Sequence, residues 1–228
     1  LEVCLFFFVC SFSLLANMAK EYMSVKDAIK QWEAEEFERR KKEAEKKGEE
    51  ADPVKASEEE VVRLVGMMPP LNKMDKELLT LKNVRHLGLS TNCIDKIGPG
   101  LKDLEHLEVL SLGRNLIKKL ENLDLPNLKE LWISYNKVEK LSGLDKLKKL
   151  SVLYMSNNMV ASWSEIERHL TALPELTDLC FINNPLERGL EKPEYRIGML
   201  MRLPGLSKLD GKAYEPEERE EAERAKDG

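Results

Sequence analysis

The chain has 228 residues, enough for one substantial core or a short repeat array. Hydrophobic residues make up 42% and charged residues 34%, and the net charge is -5, which argues against holding nucleic acid through overall basicity. Four cysteines (Cys4, Cys10, Cys93, Cys180) and three histidines (His86, His106, His169) are scattered, with no CxxC and no metal-ligand spacing, so the expectation is no metal and no cofactor.

In chain order, Val3 to Ala16 is an apolar run, too short to span a membrane comfortably and without a basic segment before it. Met18 reads as the start, which sets residues 1–17 apart as upstream sequence; a cleaved secretion signal is the alternative. Ser24 with Asp27 marks a helix start, and Val25, Ala28, Ile29 and Trp32 follow at helical spacing. Glu33 to Ala56 is almost wholly charged residues and alanine, an extended solvated helix or linker. Ser57 with Glu60 predicts a second helix through Val61, Leu64 and Val65, ended by Pro69-Pro70. Together 18–83 reads as an N-terminal helical cap with a charged linker.

From Val84 the frame L-x-x-L-x-L-x-x-N-x-I recurs, with asparagines at Asn92, Asn115, Asn136, Asn158 and Asn184, spaced by 23, 21, 22 and 26 residues. That period belongs to leucine-rich repeats of about 20–29 residues. The L-x-L pair sits on a short strand and points both leucines into the core. One repeat cannot bury that face alone, so successive repeats stack into a parallel sheet. Each asparagine is expected to satisfy backbone groups of its own turn and of the neighbouring repeat, a structural role. The predicted fold class is α/β: a leucine-rich-repeat solenoid with a parallel concave sheet, N-terminal capping helices and a C-terminal cap, its repeats and cap covering 84–211. Ile197, Leu200 and Met201 suit a helix lying over the last repeat. The acidic tail, 212–228, is expected to be disordered or a frayed helix.

No catalytic residue emerges. G-x-S-x-G and H-E-x-x-H are absent, and Gly98-Pro99-Gly100 lacks the Lys-Ser/Thr of a phosphate loop. The informative positions are those that alternate with the buried leucines and point out of the sheet. Trp132 and Tyr154 share a frame position in adjacent repeats, and Val109 and Cys180 are expected to extend their row on either side. Arg114, Tyr135 and Ile182 stand at or near the strand exits. An exposed stripe with Trp and Tyr marks a protein-binding surface. Lysines on the convex side and loops, Lys118, Lys119, Lys137, Lys140, Lys146, Lys148 and Lys149, are read mainly as solvated.

The non-leucine residues carry a closer likeness. Leu89-Ser-Thr-Asn-Cys-Ile94, Leu110-Ser-Leu-Gly-Arg-Asn115, Glu130-Leu-Trp-Ile-Ser-Tyr-Asn136 and Leu153-Tyr-Met-Ser-Asn-Asn158 resemble the leucine-rich-repeat dynein light chain family of the axonemal outer arm. The likeness runs from about Met18 to Gly211; residues 1–17 have no counterpart and the charged run from Glu33 to Ala56 looks longer than usual. The resemblance implies a non-catalytic subunit of the cilium or flagellum axoneme. It implies binding to the microtubule-binding stalk tip of an outer-arm heavy chain, with no role for nucleic acid or membrane. Val109, Trp132, Tyr154 and Cys180 would then lie on the gripping sheet, and Arg196 and Arg202 would contact the stalk tip or acidic tubulin. The competing classes are a phosphatase-regulatory repeat scaffold, a spliceosomal repeat protein and a secreted repeat protein.

Overall fold

The computed structural model describes residues 22–227, so the expectation for residues 1–17 lies outside them. The first helix among the described residues is α1 (Val25–Lys47). Ser24 caps it by accepting from the Asp27 N–H, and Gly48 ends it in the left-handed conformation. Only Val25 and Ala28 are buried, with Ile29 and Trp32 packed at the edge of the core. The rest is solvated, as its charged sequence dictates. Ion pairs of Glu36 with Arg39 and Arg40, and of Arg40 with Glu59, hold it beside the segment that follows.

Eight short strands form one sheet in sequence order: β1 (Val61–Arg63), β2 (His86–Gly88), β3 (Val109–Ser111), β4 (Glu130–Trp132), β5 (Val152–Tyr154), β6 (Asp178–Cys180), β7 (Lys208–Leu209) and β8 (Lys212–Ala213). The first seven are parallel and in register, and β8 returns antiparallel. Val62, Leu87, Leu110, Leu131, Leu153, Leu179 and Leu209 stack directly across the sheet and are all fully buried. They belong to one continuous core running from Val25 to Ala222.

The helix expected from Ser57 does not form beyond a single 3-10 turn, Ala56–Glu58, and its apolar residues make β1. Val62 and Leu64 are buried while Val61, Arg63 and Val65 are exposed, a period of two. The sheet therefore begins at Val61, a repeat earlier than the asparagine frame suggests. The asparagine position of this repeat holds Met67, which is buried.

Helix α2 (Trp163–Glu165) continues as a π-turn through Ile166–Leu170 in the longest repeat. A short turn, α3 (Pro185–Arg188), leads to α4 (Lys192–Arg202), which covers the last repeat with Tyr195, Met199 and Leu200 buried. Gly198 lets α4 approach the Trp163 ring, since a Cβ there would lie 2.9 Å from it. The tail expected to be disordered or frayed is helix α5 (Pro216–Asp227), docked on α4. Glu218 forks onto Arg196, Arg219 donates to the carbonyls of Pro204 and Leu206, and Ala222 is buried. Its acidic composition hid this anchoring because ion pairs and carbonyl contacts hold it, with almost no apolar area.

Candidate functional site: the concave sheet

The asparagines form the spine that fixes the sheet. Asn136 shows the pattern: its Nδ2 donates to Ile133 O and to Leu112 O of the preceding repeat, and its Oδ1 accepts from the Ile117 N–H. Asn92, Asn115, Asn158 and Asn184 repeat the same three bonds, all buried. Each asparagine thus serves the coil before it. The residue just ahead of each takes a positive φ: Thr91, Arg114, Tyr135, Asn157 and Asn183. Asp210 closes the series, accepting from the N–H groups of Phe181 and Ile182 and from the Tyr195 hydroxyl.

This scaffold fixes two outward rows. The first is Val61, His86, Val109, Glu130, Val152, Asp178 and Lys208; the second is Arg63, Gly88, Ser111, Trp132, Tyr154 and Cys180. Val109 therefore stands beside Glu130 in the first row, and Ser111 is the true neighbour of Trp132. The expectation that Val109 extends the aromatic row fails because Val109 opens its strand two residues before that row. It remains on the same face, half-buried.

Trp132 and Tyr154 are stacked, with centroids 6.3 Å apart and planes 17° off parallel. The Trp132 ring also reaches past β3 to meet His86 edge-on at 5.6 Å and 81°. Three rings from three repeats thus make one half-buried platform, and the periodicity gave no sign of His86 as its third member. Trp132 Nε1 donates to Glu130, and the Tyr154 hydroxyl donates to Asp178, which also takes Lys208. Burial pushes the His86 pKa down, helped by Arg63 and opposed by Glu130. Burial likewise pushes the Cys180 thiol up, and Cys180 lies beside Tyr154 in the second row.

Further along the strand exits, Arg114 lies over the Tyr135 ring at 4.4 Å, and Tyr135 and Ile182 are exposed. The two C-terminal arginines sit differently from each other in the cap. Arg196 is buried in the cap: it pairs with Glu218, donates to the Ala213 carbonyl and stacks on Tyr214 at 4.4 Å. Its guanidinium is enclosed by its own chain, which removes it as a partner contact. Arg202 pairs with Glu167, donates to Gly198 O and lies over Trp163 at 4.2 Å, and it is half-buried. Among the described residues, no group of His, Cys, Asp and Glu could hold a metal ion, and no helix is long and apolar enough to cross a membrane.

The leucine-rich repeat family model matches residues 67–228. Dynein axonemal light chain 1 of Chlamydomonas reinhardtii is 51% identical over 186 residues, covering 79% of this chain and 93% of that protein. The chain belongs to the dynein axonemal light chain 1 family. The light chain of the same name from Danio rerio is 48% identical over 200 residues, covering 86% of this chain and 95% of that one. A solved structure, the Drosophila melanogaster SNF/U2A' complex, matches with a TM-score of 0.57 at 23% identity, covering 67% of this chain and 91% of that one, a likeness of fold alone. The resemblance drawn from the strand residues therefore holds across nearly the whole length of these relatives. As a dynein light chain of the axoneme, this is a non-catalytic subunit of the cilium or flagellum.

Proposed function

We propose that this light chain grips an outer-arm dynein heavy chain at its microtubule-binding stalk tip, through the concave sheet, and so influences how the motor engages the microtubule. The observation that carries this reading is the platform of His86, Trp132 and Tyr154, three rings from separate repeats gathered on an open sheet face. Aromatic side chains held in place by the scaffold lose little freedom on binding, which makes them efficient anchors. The platform's polar edges are already paired, Trp132 with Glu130 and Tyr154 with Asp178, so a partner can cover the rings without stranding their N–H and O–H groups. Val109, Val152 and Cys180 supply apolar surface around the rings. Of the two arginines expected to reach the stalk tip or tubulin, Arg202 is the one still in reach of a partner.

The test is calorimetry of the full chain against a recombinant outer-arm stalk-tip domain. One-to-one binding is expected, and Trp132→Ala with Tyr154→Ala should weaken it by at least about 2 kcal/mol, the scale of an interface hot spot. Unchanged affinity in a folded double variant would overturn the concave-sheet reading.

A further inference from the structure

Beside the aromatic platform runs a second strip, along the edge where the strands exit. In each asparagine repeat three residues line it, all at least partly exposed save the buried Ser156: the two before the asparagine and the one after. Read through the five repeats they are Ser90, Thr91 and Cys93; Gly113, Arg114 and Leu116; Ser134, Tyr135 and Lys137; Ser156, Asn157 and Met159; Ile182, Asn183 and Pro185. Not one is a carboxylate, in a chain with 41 Asp and Glu and a net charge of -5. Glu187 and Asp210 meet the strip only at its far end, where they accept from the Asn183 and Ile182 N–H groups.

The strip's two cations stand in its middle. Arg114 lies over Tyr135, and neither Arg114 nor Lys137 makes a salt bridge among the described residues. By contrast, Lys140 pairs with Glu165 and Lys146 with Asp124. Around the cations are exposed apolar side chains: Leu116 at 40%, Tyr135 at 48% and Met159 at 50% exposure. The coils are tied at this edge, Lys137 N–H to Ile117 O and Met159 N–H to Val138 O, so these side chains come from adjacent coils.

We propose that this strand-exit edge binds an extended, acidic segment of a protein partner. Its carboxylates would meet Arg114 and Lys137, and its aliphatic side chains would lie against Leu116 and Met159 on either side of Lys137. Charge complementarity selects this occupant: two unpaired cations on a strip from which the chain's abundant carboxylates are missing attract an anion and place nothing against it. The planar Arg114, pre-set by its stack on Tyr135, suits a carboxylate. The proposal rests on the reading above only in taking this side of the solenoid as its working surface.

The experiment measures fluorescence anisotropy of a labelled peptide of about a dozen residues, built from Glu-Glu-Leu repeats, against the full chain. Saturable binding is expected, absent for the matching Gln-Gln-Leu peptide. It should weaken at least about tenfold when salt rises from about 0.1 M to about 1 M, where screening shortens from about 10 Å to about 3 Å. Arg114→Gln with Lys137→Gln should also cost at least about tenfold, equal to about 1.4 kcal/mol. Trp132→Ala with Tyr154→Ala should leave peptide binding in place, which keeps this result separate from the heavy-chain test. No binding of the acidic peptide would overturn the proposal. So would equal loss from Lys146→Gln with Lys149→Gln, a control pair away from the edge, or equal binding of the Gln peptide.

Discussion

Asn136 satisfies three buried backbone groups in two coils with one side-chain amide: the Ile117 N–H and the carbonyls of Leu112 and Ile133. The two carbonyls also take the amide of a neighbouring asparagine, Leu112 O from Asn115 and Ile133 O from Asn158, so the Ile117 N–H is the group left unpaired when the side chain is removed, at about 1–3 kcal/mol. Asn136→Ala is therefore expected to lower stability by about 1–3 kcal/mol, read from urea denaturation. Asn136→Asp should be nearly as damaging, since a carboxylate cannot donate to either carbonyl and brings a buried charge. A loss below about 1 kcal/mol for the alanine variant would mean that water replaces the amide, and the ladder would then be a consequence of stacking rather than a cause of it. Tyr135, next in sequence, faces outward with a positive φ of 59°. It holds a backbone conformation that side chains adopt at a cost, while its exposed ring stands ready to pack on a partner.

At the scale of elements, the same asparagine logic explains which parts of the fold the sequence discloses. An asparagine serves the coil before it, so five of the six coils with a predecessor carry the residue and are legible from spacing, Asp210 taking its place in the last. The coil of β1 has helix α1 before it rather than another strand. No ladder amide is needed there, Met67 fills the slot, and the strand is disguised as part of a capping-box helix. Trp132 and Tyr154 were legible as neighbours because they share a frame position, whereas the reach of the Trp132 ring to His86 crosses frame positions and depends on rotamers. Helix α5 was illegible for another reason. Its anchor is Glu218 on Arg196, an arginine that in sequence looks free for a partner. Glu218→Gln is expected to cost about 1–2 kcal/mol, the scale of a charge-assisted bond at a partly buried site. Amide exchange should show the loss as lower protection across Pro216–Asp227, with the sheet unchanged; unaltered protection would mean that Arg219 and Ala222 alone hold the helix.

Across the whole molecule, stacking ties one coil's stability to the next, and the side chains that bridge coils are often charged. Glu108 spans Arg85 and Lys129, and its pKa is lowered by its bond to Lys129. Burial pushes the carboxyls of Glu165 and Asp145 up, but their partners outweigh it: Leu141 N–H and Lys140 for the first, His169 for the second. Arg196 lowers Glu218 at the C-terminal cap, and Arg39 with Arg40 lowers Glu36 to about 2 at the N-terminal one. Every one of these folded-state pKa values lies below its unfolded value, so the stability they contribute is present above the unfolded pKa. It is lost as pH falls through the folded pKa, a window from about 4.5 down to about 2 set by Glu36. His86 adds a loss of the same sign at higher pH. Its folded pKa is below 6.5, so the unfolded chain takes up that proton first as the solution is acidified. Urea midpoints are therefore expected to fall modestly between pH 7 and about 5, and steeply from about 4.5 towards 2. In a His86→Gln variant the early fall should shrink while the steep one remains. A midpoint that holds level down to about pH 3 would show that the hydrophobic column carries the solenoid without help from the charged ties between its coils.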